Sequence, residues 1–192
     1  MNRASVLPVK FLGWLCASLL TFSALISFSP PARAASAAEI SADAMAALEQ
    51  LYAQDPRMRT LGEKAVAVLV FPNIIKGGFL VGGERGSGAL IQRGQVEGFY
   101  SISALSFGLQ AGAQQFSYAL FFMNEPALAY LNQSDGWALG AGPSLVVVDQ
   151  GYAASINTTT LTQDVYAVPF GEQGLMAGMG LQGSKISRMD PN

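Results

Sequence analysis

The hydrophobic residues of this chain follow three successive patterns. The first is a single uncharged stretch, residues 11–28, which follows the basic residues Arg3 and Lys10. The second, over residues 38–64, repeats at helical spacing. The third, over residues 65–188, consists of short apolar segments interrupted by glycine. These patterns predict a leader, a helical segment and a β-rich body.

The uncharged stretch has the layout of a secretory signal peptide. Ala32-Arg33-Ala34 places small residues at the −3 and −1 positions of a cut after Ala34. A cut after Ala37 is the near alternative. The stretch also reaches the lower end of a membrane-spanning length, so an uncleaved inner-membrane anchor stays open. We expect residues 1–34 to be removed and residues 35–192 to form one domain, periplasmic or secreted.

Residues 38–64 are predicted to form two helices. An apolar stripe at helical spacing comprises Ile40, Ala44, Leu48, Leu51 and Tyr52. Asp55-Pro56 is typical of an N-cap followed by proline at the first helical position, so a second helix begins there and runs to about Lys64. The polar face is acidic, which favours a helix packed on the domain core over a membrane-binding helix.

Residues 65–188 predict a strongly curved or barrel-like antiparallel sheet. Residues 65–71 form an apolar run rich in β-branched side chains, which is typical of a buried strand. Most of the 21 glycines of the chain lie beyond it, inside alternating segments that include residues 77–83, 88–92, 137–148 and 174–182. Glycine within a strand indicates bends or close backbone approach. We expect turns at residues 84–86, 93–94 and 149–151.

One short helix is expected to interrupt the strands. Asn124 is a candidate N-cap for a segment that begins Glu125-Pro126 and ends before Gly136. The predicted fold class is therefore α+β and β-rich, with N-terminal helices and one inserted short helix.

Composition removes several kinds of chemistry. The 192 residues include no histidine and one cysteine, Cys16, which excludes a Ser-His-Asp triad, a Cys-His pair and histidine-ligated zinc. The formal net charge of −2 gives no basic field for a phosphate backbone. We therefore expect no metal, no cofactor and no nucleic-acid partner.

Two features could carry chemistry, and each has a simpler interpretation. Residues 82–88 are glycine-rich but match neither phosphate-loop motif, so a β-turn with a bulge is the better account. Residues 106–114 alternate a Gly/Gln face with an apolar face, which is either a hydrogen-bonded layer or a ligand-lining surface.

Acid–base catalysis needs two carboxylates roughly 5–10 Å apart. The candidate carboxylates are Glu84, Glu97, Asp135 and Asp149. Carboxylates of this kind usually lie at solvated turn positions. We therefore assign no catalytic residue and expect a protein that is not an enzyme.

Several segments occur in an order that matches a known family. They are Leu69-Val70-Phe71-Pro72-Asn73-Ile74-Ile75-Lys76-Gly77-Gly78-Phe79, Gly82-Gly83-Glu84-Arg85-Gly86-Ser87-Gly88-Ala89-Leu90, Phe99-Tyr100, residues 106–114, Asp135-Gly136-Trp137, residues 174–178 and residues 181–186. The ordered set resembles the SYLF (Ysc84-type) domain family, called lipid-binding SYLF proteins in bacteria. The resemblance covers about residues 40–188.

The resemblance implies a module that binds lipid without catalysis. Eukaryotic members are phosphoinositide- and actin-binding adaptors. Here the N-terminal helix is acidic and a signal peptide precedes the domain, so actin binding is not expected to carry over.

A phospholipid or a membrane surface is the predicted partner. The candidate lipid contacts are the basic residues Lys76, Arg85, Arg93, Lys185 and Arg188, which could meet lipid phosphates if several converge on one face. Exposed Phe or Ile side chains would then enter the acyl boundary. The alternative partner is another envelope protein, bound through a sheet edge or an apolar patch.

Overall fold

The structure is a computed structural model that describes residues 35–133, 136–148, 161–171 and 183–191. The predicted leader, the turn at 149–151 and the strand at 174–182 lie outside these residues. Residues 35–192 form a compact unit. Its described elements are α1 (Ala37–Gln54), α2 (Pro56–Lys64), β1 (Ala67–Gln92), β2 (Gln95–Phe122), α3 (Glu125–Leu131), β3 (Trp137–Ala138), β4 (Leu145–Val147), β5 (Val165–Phe170) and β6 (Lys185–Met189).

A long antiparallel hairpin organises the sheet. β1 and β2 pair from Ala67 and Phe122 at one end to Gln92 and Gln95 at the other. On the other side of β2, β6 pairs with residues 99–103 and β5 pairs with residues 117–122. The short strands β3 and β4 extend the sheet beyond β6 and β5.

The predicted α+β, β-rich class with a strongly curved sheet is confirmed, since the sheet curls into a half-barrel. The sheet differs from the expected antiparallel arrangement in one pair, because β4 runs parallel to β5.

Each face of the sheet has its own apolar cluster. One cluster joins α3 to side chains such as Tyr100, Ile102 and Trp137, and we call this side the α3 face. The other joins α1 and α2 to side chains such as Val70 and Phe121, and we call this side the α1 face. Successive residues of a strand point to opposite faces, so the two clusters fix which face each strand residue occupies.

The predicted helices are confirmed. The Asp55 carboxylate accepts a hydrogen bond from the Arg57 backbone N–H at 3.0 Å, which caps α2 directly after α1 ends. The Asn124 side-chain oxygen likewise accepts from the Ala127 N–H at 2.9 Å and begins α3. Among the described residues, no helix is both long enough and apolar enough to cross a membrane.

The predicted turn at residues 84–86 is wrong, because these residues lie within β1. Glycine serves close approach there instead of a turn. A Cβ on Gly86 would lie 2.9 Å from the Ile74 side chain, and one on Gly88 would clash with the Val70 carbonyl oxygen. The curled hairpin thus brings the two ends of β1 together, which only residues without a side chain permit.

The predicted turn at residues 93–94 is confirmed. Arg93 and Gly94 join β1 to β2 with φ angles of 52° and 78°. Positive φ at both positions is the type I′ geometry that matches the twist of a hairpin. The segments predicted as separate strands on either side of residues 84–86 are parts of the continuous β1.

Candidate functional site

The five basic residues predicted as lipid contacts divide between the two faces of the sheet. Arg85 and Lys185 lie on the α1 face, since each is opposite Ser103 of β2. Lys76 and Arg188 lie on the α3 face by the same alternation. Arg93 lies in the hairpin turn at the end of the sheet. Only one pair of the five therefore shares a face and a position along the strands.

Arg85 and Lys185 flank Ser103 on three neighbouring strands. Adjacent strands are about 4.8 Å apart, which places the Cα atoms of the two basic residues about 10 Å from each other. Both side chains are exposed. Because each is long and flexible, both can reach a single anion held above Ser103.

A groove of about 690 Å³ lies beside Arg85 on the α1 face. It is lined by the N-terminal part of α1, including Ile40 and Asp43, by residues 83–87 and 103–105, and by Pro72, Asn73, Ile75 and Gly77. Two large apolar side chains in its lining are open to water: Ile75 is 56% exposed and Leu105 is 78% exposed. A groove that combines exposed apolar side chains with a cation suits an amphipathic ligand.

The charges around the groove are uneven. Asp43 of α1 and Arg85 of β1 both line it. Lys185 adds a second positive charge beyond Ser103. An anionic group would therefore be held beside the groove, where Arg85 and Lys185 lie on either side of Ser103.

A buried carboxylate lies directly behind this cation pair. Glu84 is 6% exposed and accepts a hydrogen bond of 2.7 Å from the Ser184 hydroxyl, which is fully buried. Burial raises the pKa of the Glu84 carboxyl above its ordinary value, while the Ser184 hydrogen bond and the charge of Lys76 lower it.

The carboxylates considered for acid–base chemistry do not form a pair within the described residues. Glu84 is opposite Ala104, which lies seven residues from Glu97 along β2, or about 23 Å at the rise of a strand. Glu97 is also exposed. Asp135 and Asp149 lie outside the described residues, as do the side chains of residues 106–113 from the predicted Gly/Gln face.

A second cavity, of about 510 Å³, surrounds the end of the hairpin that carries Arg93. Its lining includes Tyr52 and three acidic residues, Glu49, Glu63 and Glu125. Burial and the neighbouring glutamates raise the pKa of Tyr52 to about 12. Carboxylates around Arg93 oppose the binding of an anion, so the structure separates Arg93 from the basic pair.

The protein has an α+β, β-rich fold with an open groove whose lining suits an amphipathic ligand. Residues 103–191 match the model of the Ysc84 family, which is described as Las17-binding protein actin regulator. No curated protein matches the chain. The resemblance to the SYLF (Ysc84-type) family is thereby confirmed for this part of the chain. The matched part includes Leu105 and Lys185, whereas Ile75 and Arg85 precede it.

Sequence reasoning missed Leu105 and the pair formed by Glu84 and Ser184. A signal for Leu105 exists in the alternation of β2: Ser101 and Ser103 place polar side chains on one face, and Leu105 interrupts that face with an apolar one. Glu84 and Ser184 are 100 residues apart in the chain. Their contact depends on the pairing register, which no local pattern indicates.

Proposed function

We propose that this protein is an exported, non-enzymatic lipid-binding protein that attaches to anionic phospholipid through the groove on the α1 face. The observation that carries the proposal is the shared face of Arg85, Lys185, Ile75 and Leu105. The Ysc84 family assignment supports a binding module related to lipid or actin.

The geometry supports separate roles for the basic and the apolar side chains at the membrane surface. Arg85 would hold a lipid phosphate through paired N–H donors, and Lys185 would contribute a second charge-assisted hydrogen bond. Leu105 and Ile75 would lie against the acyl boundary, where the bilayer removes them from water. The chain has a formal net charge of −2, so attraction to an anionic surface must come from this local pair.

The description of the family names a Las17-binding actin regulator. We do not extend that activity to this chain, because the predicted leader and A-x-A site would direct the domain out of the cytoplasm. The compartment that we propose is the bacterial envelope, with the domain in the periplasm or secreted. Phospholipid headgroups are available there.

Vesicle co-sedimentation of residues 35–192 tests the proposal. Both apolar clusters are built from residues within this range, so it carries its own core. It also lacks residues 11–28, which could enter a bilayer by themselves. We expect pelleting with phosphatidylcholine–phosphatidylglycerol vesicles at low salt, weak pelleting with phosphatidylcholine alone, and a loss of pelleting as salt screens the charges.

A matched pair of double variants identifies the site. Arg85→Gln with Lys185→Gln removes the two positive charges that flank Ser103, and Lys64→Gln with Arg93→Gln removes two exposed positive charges elsewhere. We expect only the first double variant to lose binding. Equal loss in both would show that net charge alone decides binding, and an absence of pelleting by the unaltered protein would reject the lipid proposal.

The alternative is an envelope interaction module that binds another protein through the same apolar groove, without lipid specificity. It is distinguished by capture of a partner from delipidated envelope extract. The alternative requires that Leu105→Gln abolish the capture and that vesicle binding be absent.

A further inference from the structure

The two cations that flank Ser103 are each preceded in the chain by a buried polar residue. Glu84 comes directly before Arg85 in β1, and Ser184 comes directly before Lys185 at the start of β6. The Ser184 hydroxyl donates a hydrogen bond of 2.7 Å to the Glu84 carboxylate. The same two segments of chain are thus joined by a buried bond on one face and present two basic side chains on the other.

The bond spans the strand between the two segments. Glu84 is opposite Ala104 of β2, and Ser184 continues β6 past the position where Lys185 is opposite Ser103. The small side chain of Ala104 leaves room for a hydrogen bond to pass over β2 on the α3 face. Because neighbouring strand residues point to opposite faces, this bond lies directly behind the cation pair.

The backbone of Ser184 is also held by a hydrogen bond, separate from the one that its side chain makes. Its backbone carbonyl accepts a hydrogen bond of 2.8 Å from the Leu139 N–H, just beyond β3. The hydroxyl of Ser184 is therefore presented to Glu84 from a defined backbone position. β6 is a five-residue strand, and Lys185, its first residue, directly follows this fixed position.

A buried carboxylate is a costly way to join strands for stability alone. Burial disfavours the charged form, and well-packed apolar side chains of similar volume commonly give equal or greater stability than a buried charged group. The direction and length of a hydrogen bond are nevertheless more restrictive than those of an apolar contact. A role in fixing the relative positions of β1 and β6 therefore accounts for the buried Glu84 better than a role in stabilising the fold.

We propose that Glu84 and Ser184 are positioning residues for the anion site, and that their hydrogen bond holds β1 and β6 at the spacing at which Arg85 and Lys185 contact one phosphate. This inference rests on the proposed lipid-binding function for its purpose. Its structural content, the spacing of the two cations, can be measured without any lipid.

The spacing is measured with a pair of spin labels. Residues 35–192 contain no cysteine, since the single cysteine of the chain is Cys16, so Arg85→Cys with Lys185→Cys places labels at the two positions only. We expect a narrow distribution of distances in this parent protein. Ser184→Ala removes the donor and should broaden the distribution, whereas Glu84→Gln keeps an acceptor oxygen and should leave it narrow.

Binding to phosphatidylglycerol-containing vesicles gives the second readout, in protein that keeps Arg85 and Lys185. We expect Ser184→Ala to weaken binding about three- to tenfold, and Glu84→Gln to bind like the unaltered protein. In a Lys185→Gln background, Ser184→Ala should weaken binding no further, since the spacing then has no second cation to position. A purely structural defect would weaken binding in both backgrounds.

Ser184→Ala leaves a buried carboxylate without this donor and could unfold the domain. The double variant Glu84→Met with Ser184→Ala replaces both partners by apolar groups and should stay folded. It is expected to show a broad label distribution and weakened binding despite normal stability. A narrow distribution in this folded variant, or in folded Ser184→Ala, overturns the inference.

The two proposals fail in different ways. If the unaltered protein does not bind vesicles but the label distribution broadens as expected, lipid binding is rejected and the positioning of the two side chains is supported. If vesicle binding depends on Arg85 and Lys185 but the distribution is the same in all variants, lipid binding is supported and the positioning role is rejected.

Discussion

Replacing Leu105 by glutamine should weaken membrane binding with little effect on stability. Complete removal of a leucine side chain from water contributes about 1.5–3 kcal/mol. Leu105 is 78% exposed, so a bilayer that covers the groove could gain most of this, about 1–2 kcal/mol. The expected loss for Leu105→Gln is therefore about 5- to 30-fold in the vesicle partition coefficient.

The assay is vesicle co-sedimentation of residues 35–192 over a range of lipid concentrations, with urea unfolding as the check on folding. Met45→Gln is the matched control, because Met45 is 40% exposed and lines the second cavity instead of the groove. Both substitutions replace an exposed apolar side chain by an amide of similar length. We expect unfolding free energies within about 1 kcal/mol of the unaltered protein for both.

Two results would refute this reasoning. Unchanged partition of Leu105→Gln would show that the groove does not face the acyl boundary, whatever the charges do. An equal loss in Met45→Gln would show that general surface hydrophobicity drives binding. A loss confined to Leu105→Gln, combined with salt-sensitive binding through Arg85, would place both kinds of contact in one site.

Three further predictions concern the scaffold around the site. Gly88→Ala should destabilise the domain by about 1–3 kcal/mol, because the new Cβ would clash with the Val70 carbonyl oxygen. In the same urea titration, Gly98→Ala should cost less, since its Cβ would meet only ordinary contacts of 3.5 Å. Asn124→Ala should cost about 1–2 kcal/mol by removing the cap of α3, and Asn124→Ser should restore most of it. The raised pKa of Glu84 means that the folded protein binds this proton more tightly than the unfolded chain. The associated stability is therefore fully present below the unfolded value near 4.5 and is lost as pH rises through the folded pKa, so Glu84→Gln should flatten that part of the stability–pH curve.

Local signals were enough to predict the helices and one turn of this fold. Asp55-Pro56 and Asn124 with Pro126 begin helices for reasons contained in a few neighbouring residues. Arg93-Gly94 forms a hairpin turn because the local backbone requires positive φ at both positions.

The long curled hairpin required information that local patterns do not contain. The glycine-rich residues 82–88 have the composition of a turn, yet they continue β1, because Gly86 accommodates Ile74 and Asn73 from an earlier part of the same strand. A close approach between distant segments and a tight turn both select glycine. Composition alone therefore cannot distinguish the two.

The positions of the basic residues in the candidate site also could not be predicted from local patterns. The sequence identifies Lys76 and Arg85 as basic residues in two neighbouring family segments, but only the continuity of β1 through residues 84–86 lets strand alternation decide which face each one occupies. The two residues lie on opposite faces, and Arg85 instead shares a face with Lys185, 100 residues further along the chain. A basic site on a net-negative domain thus depends on pairing register more than on basic content.

The dipeptides Glu84-Arg85 and Ser184-Lys185 show how a strand can couple a buried group to a surface group. In each, one residue points into the α3 face and the next points out of the α1 face, so a constraint on the first restricts the second without touching the ligand. The buried residues Glu84 and Ser184 are joined by a hydrogen bond. The exposed residues Arg85 and Lys185 are both opposite Ser103. Both observations describe the same alignment of β1, β2 and β6. With the positioning role proposed for Glu84 and Ser184, a ligand that contacts both cations should bind more weakly when their hydrogen bond is removed, and a ligand that contacts only one cation should bind equally well.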